Sequence, residues 1–104
     1  MHKRQDVVRH EGGYLVRVFQ CIDGFRARYG QWPTKLNLGK LAYEGFYSHL
    51  TEFGLGLIKS KINIEIDYTE IDRISAADDS NNRLDYGWYG ERPDIDAYQW
   101  LRIE

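Results

Sequence analysis

The sequence predicts one α+β domain built on a four-stranded mixed sheet, with a βαβ crossover, a C-terminal β-hairpin and helices packed on one face. Three patterns carry that expectation. Leu15, Val18, Ile22, Phe25 and Tyr29 recur at 3, 4, 3, 4 spacing and draw one apolar stripe along a helix. Ile62, Ile64, Ile66 and Tyr68 alternate with Asn63, Glu65 and Asp67, the signature of a strand with one face buried. The polar run Asp78-Asp79-Ser80-Asn81-Asn82 separates Ile74 to Ala77 from Arg83 to Trp88 and has the chemistry of a hairpin turn.

The first helix begins after Gly12-Gly13, with Val16, Phe19 and Cys21 widening its stripe and Arg17, Arg26 and Arg28 falling away from it. Gly30 stands where a left-handed cap would end it. Trp32 precedes Pro33 and is therefore excluded from the α region, so Gln31 to Thr34 is extended and leads into a strand at Lys35 to Leu38. After Gly39, the positions Leu41, Ala42, Phe46, His49 and Leu50 predict a second helix from Lys40 to Leu50. Thr51 caps a third, running to about Ser60, although Gly45, Gly54 and Gly56 each cost about 1 kcal/mol relative to Ala inside a helix. The strand at Ile62 and the hairpin follow. Thr69 with Asp72 offers a short capped helix through Ile74 as an alternative to the hairpin's first strand. Pro93 and Asp94 mark the start of a last helix with Ile95, Tyr98 and Leu101 on its inner face. Strand, helical crossover and strand imply a right-handed parallel pair, to which the hairpin adds antiparallel strands.

With 104 residues, 42% of them hydrophobic and 14% aromatic, the chain has the material for one domain spanning residues 1 to 104, residues 1 to 12 forming a flexible lead-in. The single cysteine, Cys21, has no internal disulfide partner, and no apolar run is long enough for a signal peptide or membrane span. A cytoplasmic, reduced setting is the expectation, with no membrane association. The net charge of −2 hides a division: residues 1 to 61 hold ten Lys/Arg and five Asp/Glu, residues 62 to 104 four Arg and eleven Asp/Glu. Such asymmetry points to a charged partner.

Glu65 and Asp67 should share the outward face of their strand about 7 Å apart. Asp72, Asp78, Asp79 and Asp85 of the adjacent hairpin are expected beside them, as a lysine-free acidic surface whose like-charge repulsion a basic partner relieves. Any one of these carboxylates is also explained as a turn residue or solvated strand position. Trp88 and Tyr89, between Gly87 and Gly90, are the candidate hot spot for a protein partner. Collectively they predict a non-enzymatic protein-binding domain. Its target would be a basic, nucleic-acid-binding protein whose groove the carboxylates enter as mimics of a nucleic-acid backbone, in the manner of an inhibitor, immunity factor or phage anti-defence protein.

Two other classes compete. A divalent-metal nuclease or hydrolase would use Asp67, Asp72, Asp78, Asp79 or Asp85 with His49 as base, but His2, His10 and His49 have no metal-ligand spacing and no metal or cofactor is predicted. Asp78, Ser80 and Asn82 resemble the start of a calcium loop, yet Arg83 stands where Gly is needed and Tyr89 where Glu is needed. Cys21 reads as core, no Gly-x-Ser-x-Gly elbow exists, and Gly54-Leu55-Gly56 lacks the third glycine of a dinucleotide loop. Direct nucleic-acid binding would run through Lys3, Arg4, Arg9, Arg17, Arg26, Arg28, Lys35 and Lys40 with Tyr29 and Trp32 as stacking platforms; a pI of about 5.9 argues against it. Pairing of the two halves across a homodimer is a further possibility.

The segment Phe25-Arg26-Ala27-Arg28-Tyr29-Gly30-Gln31-Trp32-Pro33-Thr34, with Ala77-Asp78-Asp79 and Asp85-Tyr86-Gly87, resembles a pattern in small uncharacterised bacterial proteins. There an Arg-x-Arg-x-Gly-x-Trp-Pro-Thr run ends the first helix and Asp-Tyr-Gly closes a hairpin. The resemblance spans about residues 14 to 101, implies a single cytosolic bacterial or phage-type domain, and brings no activity and no site with it.

Overall fold

The order of elements follows the sequence pattern closely in the computed structural model, which describes residues 13 to 88 and 90 to 103, the side chains at 81 to 83 excepted. Helix α1 (Tyr14–Tyr29) precedes strand β1 (Lys35–Gly39), helices α2 (Lys40–Tyr47) and α3 (Glu52–Lys59), strands β2 (Asn63–Asp67), β3 (Ile74–Asp78) and β4 (Asn81–Tyr86), and helix α4 (Ala97–Leu101). The sheet order is β2-β1-β3-β4, with β1 parallel to β2 and antiparallel to β3, and β4 antiparallel to β3. The expected α+β fold is therefore present. Residues 1 to 12, Tyr89 and Glu104 lie outside the described residues.

One face of the sheet carries Leu36, Leu38, Ala76 and Tyr86, all buried, and α1 and α2 pack on it through Leu15, Val18, Phe19, Ile22, Phe25 and Phe46. Cys21 belongs to this core. Its thiol donates to the Tyr86 carbonyl at 3.2 Å, and burial pushes its pKa up to about 12, so it is held as an unreactive thiol. Gly30 ends α1 at φ 73°, in the left-handed region where a Cβ is disfavoured. Thr51 caps α3 by accepting from the Gly54 amide at 3.1 Å.

Gly39 has a different task. The amides of Leu41 and Ala42, orphaned at the start of α2, both donate to the Ile71 carbonyl, at 3.0 and 3.1 Å. The 68 to 72 loop must press directly on Gly39 to deliver that carbonyl, and an added Cβ would overlap the backbone of Glu70 and Ile71.

The last helix departs from expectation. It starts at Ala97, and Ile95 is 56% exposed instead of lying on the inner face. The reason is capping. Asp96 accepts from the Gln99 amide at 2.9 Å while the Gln99 side chain accepts from the Asp96 amide, and Asp23 on α1 accepts the Ala97 N–H at 2.7 Å. Two carboxylates fix the start at Asp96, three residues beyond Pro93. Thr69 and Asp72 form no helix either, because Asp67 accepts from the Thr69 amide, the Thr69 hydroxyl and the Glu70 amide and folds the chain into a turn.

Trp32 and Trp100 lie flat against each other, ring centres 4.4 Å apart and planes 4° from parallel. The Arg26 guanidinium covers Trp32 at 5.4 Å and the Lys61 ammonium covers Trp100 at 5.1 Å. Since the inner faces of the rings are shut, the cations occupy the outer ones, and a four-layer stack ties α1, the approach to β1, α4 and the approach to β2 together. Trp100→Ala should lower the unfolding free energy by about 2–3 kcal/mol and abolish the exciton couplet of paired indoles in the circular dichroism spectrum. Gly39→Ala, whose Cβ meets backbone and not a movable side chain, should destabilise by about 1–3 kcal/mol in denaturant unfolding, with no change in m value.

Candidate functional site

The face of the sheet turned away from the helices is the surface on which the predicted acids can be placed. Strand register gives its rows: Asn63, Lys35, Ala77 and Asp85 in one, Glu65, Asn37 and Ser75 in the next, Asp67 and Gly39 in the third. The expectation that β2 lies beside the hairpin is corrected by this order. β1 intervenes, so Glu65 and Asp67 on one edge strand are three strand spacings, roughly 14 Å, from Asp85 on the other.

β1 also brings a lysine onto the face expected to lack one. Lys35 Nζ pairs with Glu65 at 3.0 Å, and Arg73 pairs with Asp67 at 3.2 Å while its Nε donates to Ser75 at 3.2 Å. The hydroxyl and amide of Thr69, then the Arg73 guanidinium, hold the Asp67 carboxyl well below the usual carboxylate range. Among the described side chains, Glu65, Asp67, Asp79 and Asp85 oppose Lys35 and Arg73, which leaves the face net negative but far from uniformly so.

The other predicted site residues go to different places. Asp78 is only 7% exposed. Its carboxylate accepts from the amide and hydroxyl of Ser80 at 2.9 and 2.7 Å and from Gln31 at 2.7 Å, and these bonds depress its pKa. Asp78 thus builds the two-residue Asp79-Ser80 hairpin connection and is closed to a partner. Asp79 is exposed, and its carboxylate accepts from Asn63 at 3.0 Å. Asp72 accepts from the Tyr14 hydroxyl at 2.8 Å and lies at the end of the sheet, on the α1 side. There it joins Arg17, Cys21, Arg73, Ile74, Gly87 and Trp88 in lining an open cleft of about 510 Å³, with Trp88 63% exposed. Trp88 therefore lines this cleft and is not in the strand rows that hold Glu65 and Asp85. Tyr89 is outside the described residues.

Asp67 and Asp79 mark opposite ends of β2, so the predicted acids do not converge on one ion position. Among the described residues no three His, Cys, Asp or Glu side chains are grouped as metal ligands. His49 is half-buried, its Nδ1–H donating to the Gly45 carbonyl at 2.7 Å. The start of α2, at the carboxyl end of β1 where α/β units receive anions, is filled by the Ile71 carbonyl. Trp32 and Arg26, candidates for nucleic-acid stacking, are committed to the internal aromatic stack.

Asp23 was not singled out from the sequence. Half-buried on α1, it caps α4 from outside that helix, and burial raises its pKa despite the Ala97 N–H. It borders a groove of about 330 Å³ under Arg92 and Pro93, with Gln20, Tyr98 and Gln99. Nothing local in the sequence distinguishes it, since its partner is 74 residues away.

The fold and this face define a small α+β domain with an open, mixed-charge sheet surface and no helix long and apolar enough to cross a membrane among the described residues. No protein-family model matches the chain, and neither the curated proteins nor the solved structures contain a significant match to it.

Asp67 and Asp78 have folded-state pKa values below those of the unfolded chain. Their contribution to stability is complete above the unfolded value near 4 and is lost as pH falls towards the folded values. The melting temperature of the wild type should therefore drop between about pH 5 and about pH 2, and Asp67→Asn should flatten that drop by starting lower at the upper end. Parallel curves for the two proteins would show that Asp67 is not depressed.

Proposed function

We propose that the protein is a non-enzymatic binding domain that presents the helix-free face of its sheet to a protein partner with a basic surface. The observation carrying this reading is the open face itself, on which strand register fixes Glu65, Asp67 and Asp85 at set positions while α1 and α2 pack on the strands' other face. Lys35 and Arg73 divide the negative charge into separate patches, so complementarity favours a patterned protein surface over a uniform polycation. Surfaces of this kind occur on proteins that bind nucleic acid. Inhibition of such a target, as an immunity or phage anti-defence factor, is the biological role this fits, in the cytoplasm and without a cofactor.

The test uses Glu65→Lys with Asp85→Lys, two exposed positions whose reversal spares the turn acids Asp67 and Asp78. Immobilised wild type should retain basic, nucleic-acid-binding proteins from a lysate and release them by about 0.3 M salt, and the double variant, at unchanged melting temperature, should not retain them. Equal retention by the variant contradicts the reading. So does cleavage of DNA or RNA by the wild type with magnesium or manganese, or a salt-sensitive gel shift by the protein alone.

A further inference from the structure

We infer that the free edge of β2 is the line on which the partner docks, receiving an extended segment that alternates basic and apolar residues as a fifth strand of the sheet. The inference rests on the binding reading above and gives it a position and a partner chemistry. The Asn63 amide donates to the Thr34 carbonyl at 2.8 Å, which together with the Lys35–Asn63 register turns the peptide groups of residues 63, 65 and 67 towards β1. The N–H and C=O of Ile64 and Ile66 therefore point the other way. Among the described residues no strand pairs with them there.

The opposite edge is guarded. The Tyr29 hydroxyl donates to the outward-pointing Asp85 carbonyl at 2.7 Å, and the β3–β4 ladder is broken by an irregularity at Ala77/Asp78. Among the described residues β2 carries no such device. Its side chains offer two unlike surfaces to an incoming strand: Glu65, whose side chain remains 63% exposed beside Lys35, on the open face, and the half-buried Ile64 and Ile66 on the helix face. Because strand side chains alternate with period two, a paired segment meets the acid with one set and the isoleucines with the other. Lys or Arg alternating with Val, Ile or Leu satisfies both. Beyond the strand, Tyr68 and Ile71, 72% and 52% exposed, extend the apolar contact. A second copy of the chain is a poor occupant. Antiparallel self-pairing along all of β2 centres on Glu65 and sets that carboxylate against its own copy.

The probe is a fluorescein-labelled peptide of about nine residues alternating Lys and Val, compared with the same peptide N-methylated throughout its backbone, which keeps the charges and side chains but cannot form a ladder. Anisotropy titration of the intact protein should show at least about tenfold tighter binding of the unmethylated peptide, with new hydrogen-exchange protection at the Ile64 and Ile66 amides and weaker binding by Glu65→Lys. Equal affinity for the two peptides would overturn edge docking while leaving a charge-driven binding face intact. Failure of both peptides to bind a protein that still retains basic proteins on the resin would also overturn it. So would sedimentation as a dimer with Ile64 and Ile66 protected in the absence of peptide.

Discussion

Everything in this fold depends on β1 lying between β2 and β3. The strand is five residues long, yet it alone joins the parallel pair to the antiparallel hairpin, and its Leu36 and Leu38 sit fully buried at the centre of the sheet. Its position also dictates what its own two ends meet. Gly39 at its last residue lets the loop before β3 close down and cap α2, while Thr34, just before it, accepts the Asp79 amide at 2.8 Å and holds the hairpin turn. Moving β1 out would leave β2 without a neighbour and α2 without its cap.

The same placement disposes of the charge division in the sequence. A strand from the basic half is inserted into the acidic half, and Lys35 lands beside Glu65. Arg28 on α1 reaches Glu91 at 2.9 Å, and Arg73 meets Asp67 at 3.2 Å. Exposed pairs such as these contribute little individually. Their collective effect is to break a field that looks strongly bipolar along the chain into small alternating patches in space, so recognition by this surface must depend on position more than on net charge.

The fold was legible because the strongest signals are local: the stripe from Leu15 to Tyr29, the alternation from Ile62 to Tyr68 and the Asp-rich turn each specify an element without reference to the rest. What escaped is what depends on remote partners. The start of α4 was set by Asp96 and by Asp23 from α1, which outweighed the Pro93-Asp94 signal. Trp32 could be read as a stacking platform until Trp100 arrived from the far end of the chain to cover it. The acidic surface was overestimated because composition counts carboxylates without saying which are turned inward, as Asp78 is, or which strand will lie next to them. The run Arg26 to Thr34 shows the same thing from the other side: Arg26 over Trp32, Gly30 as cap, Pro33 buried and Thr34 on the hairpin turn are all occupied in building the fold.

Placed this way by β1, the opposed charges must attract one another within the folded chain. The most direct measurement is the unfolding free energy in urea, an uncharged denaturant, at neutral pH as sodium chloride is raised from about 10 mM to about 200 mM, a range in which the Debye length shrinks from about 30 Å to below 10 Å. Internal compensation predicts a decrease in stability over that range as attractive pairs are screened. An increase would mean that the acids of residues 62 to 104 still repel one another in the native state, and that β1 does not neutralise them.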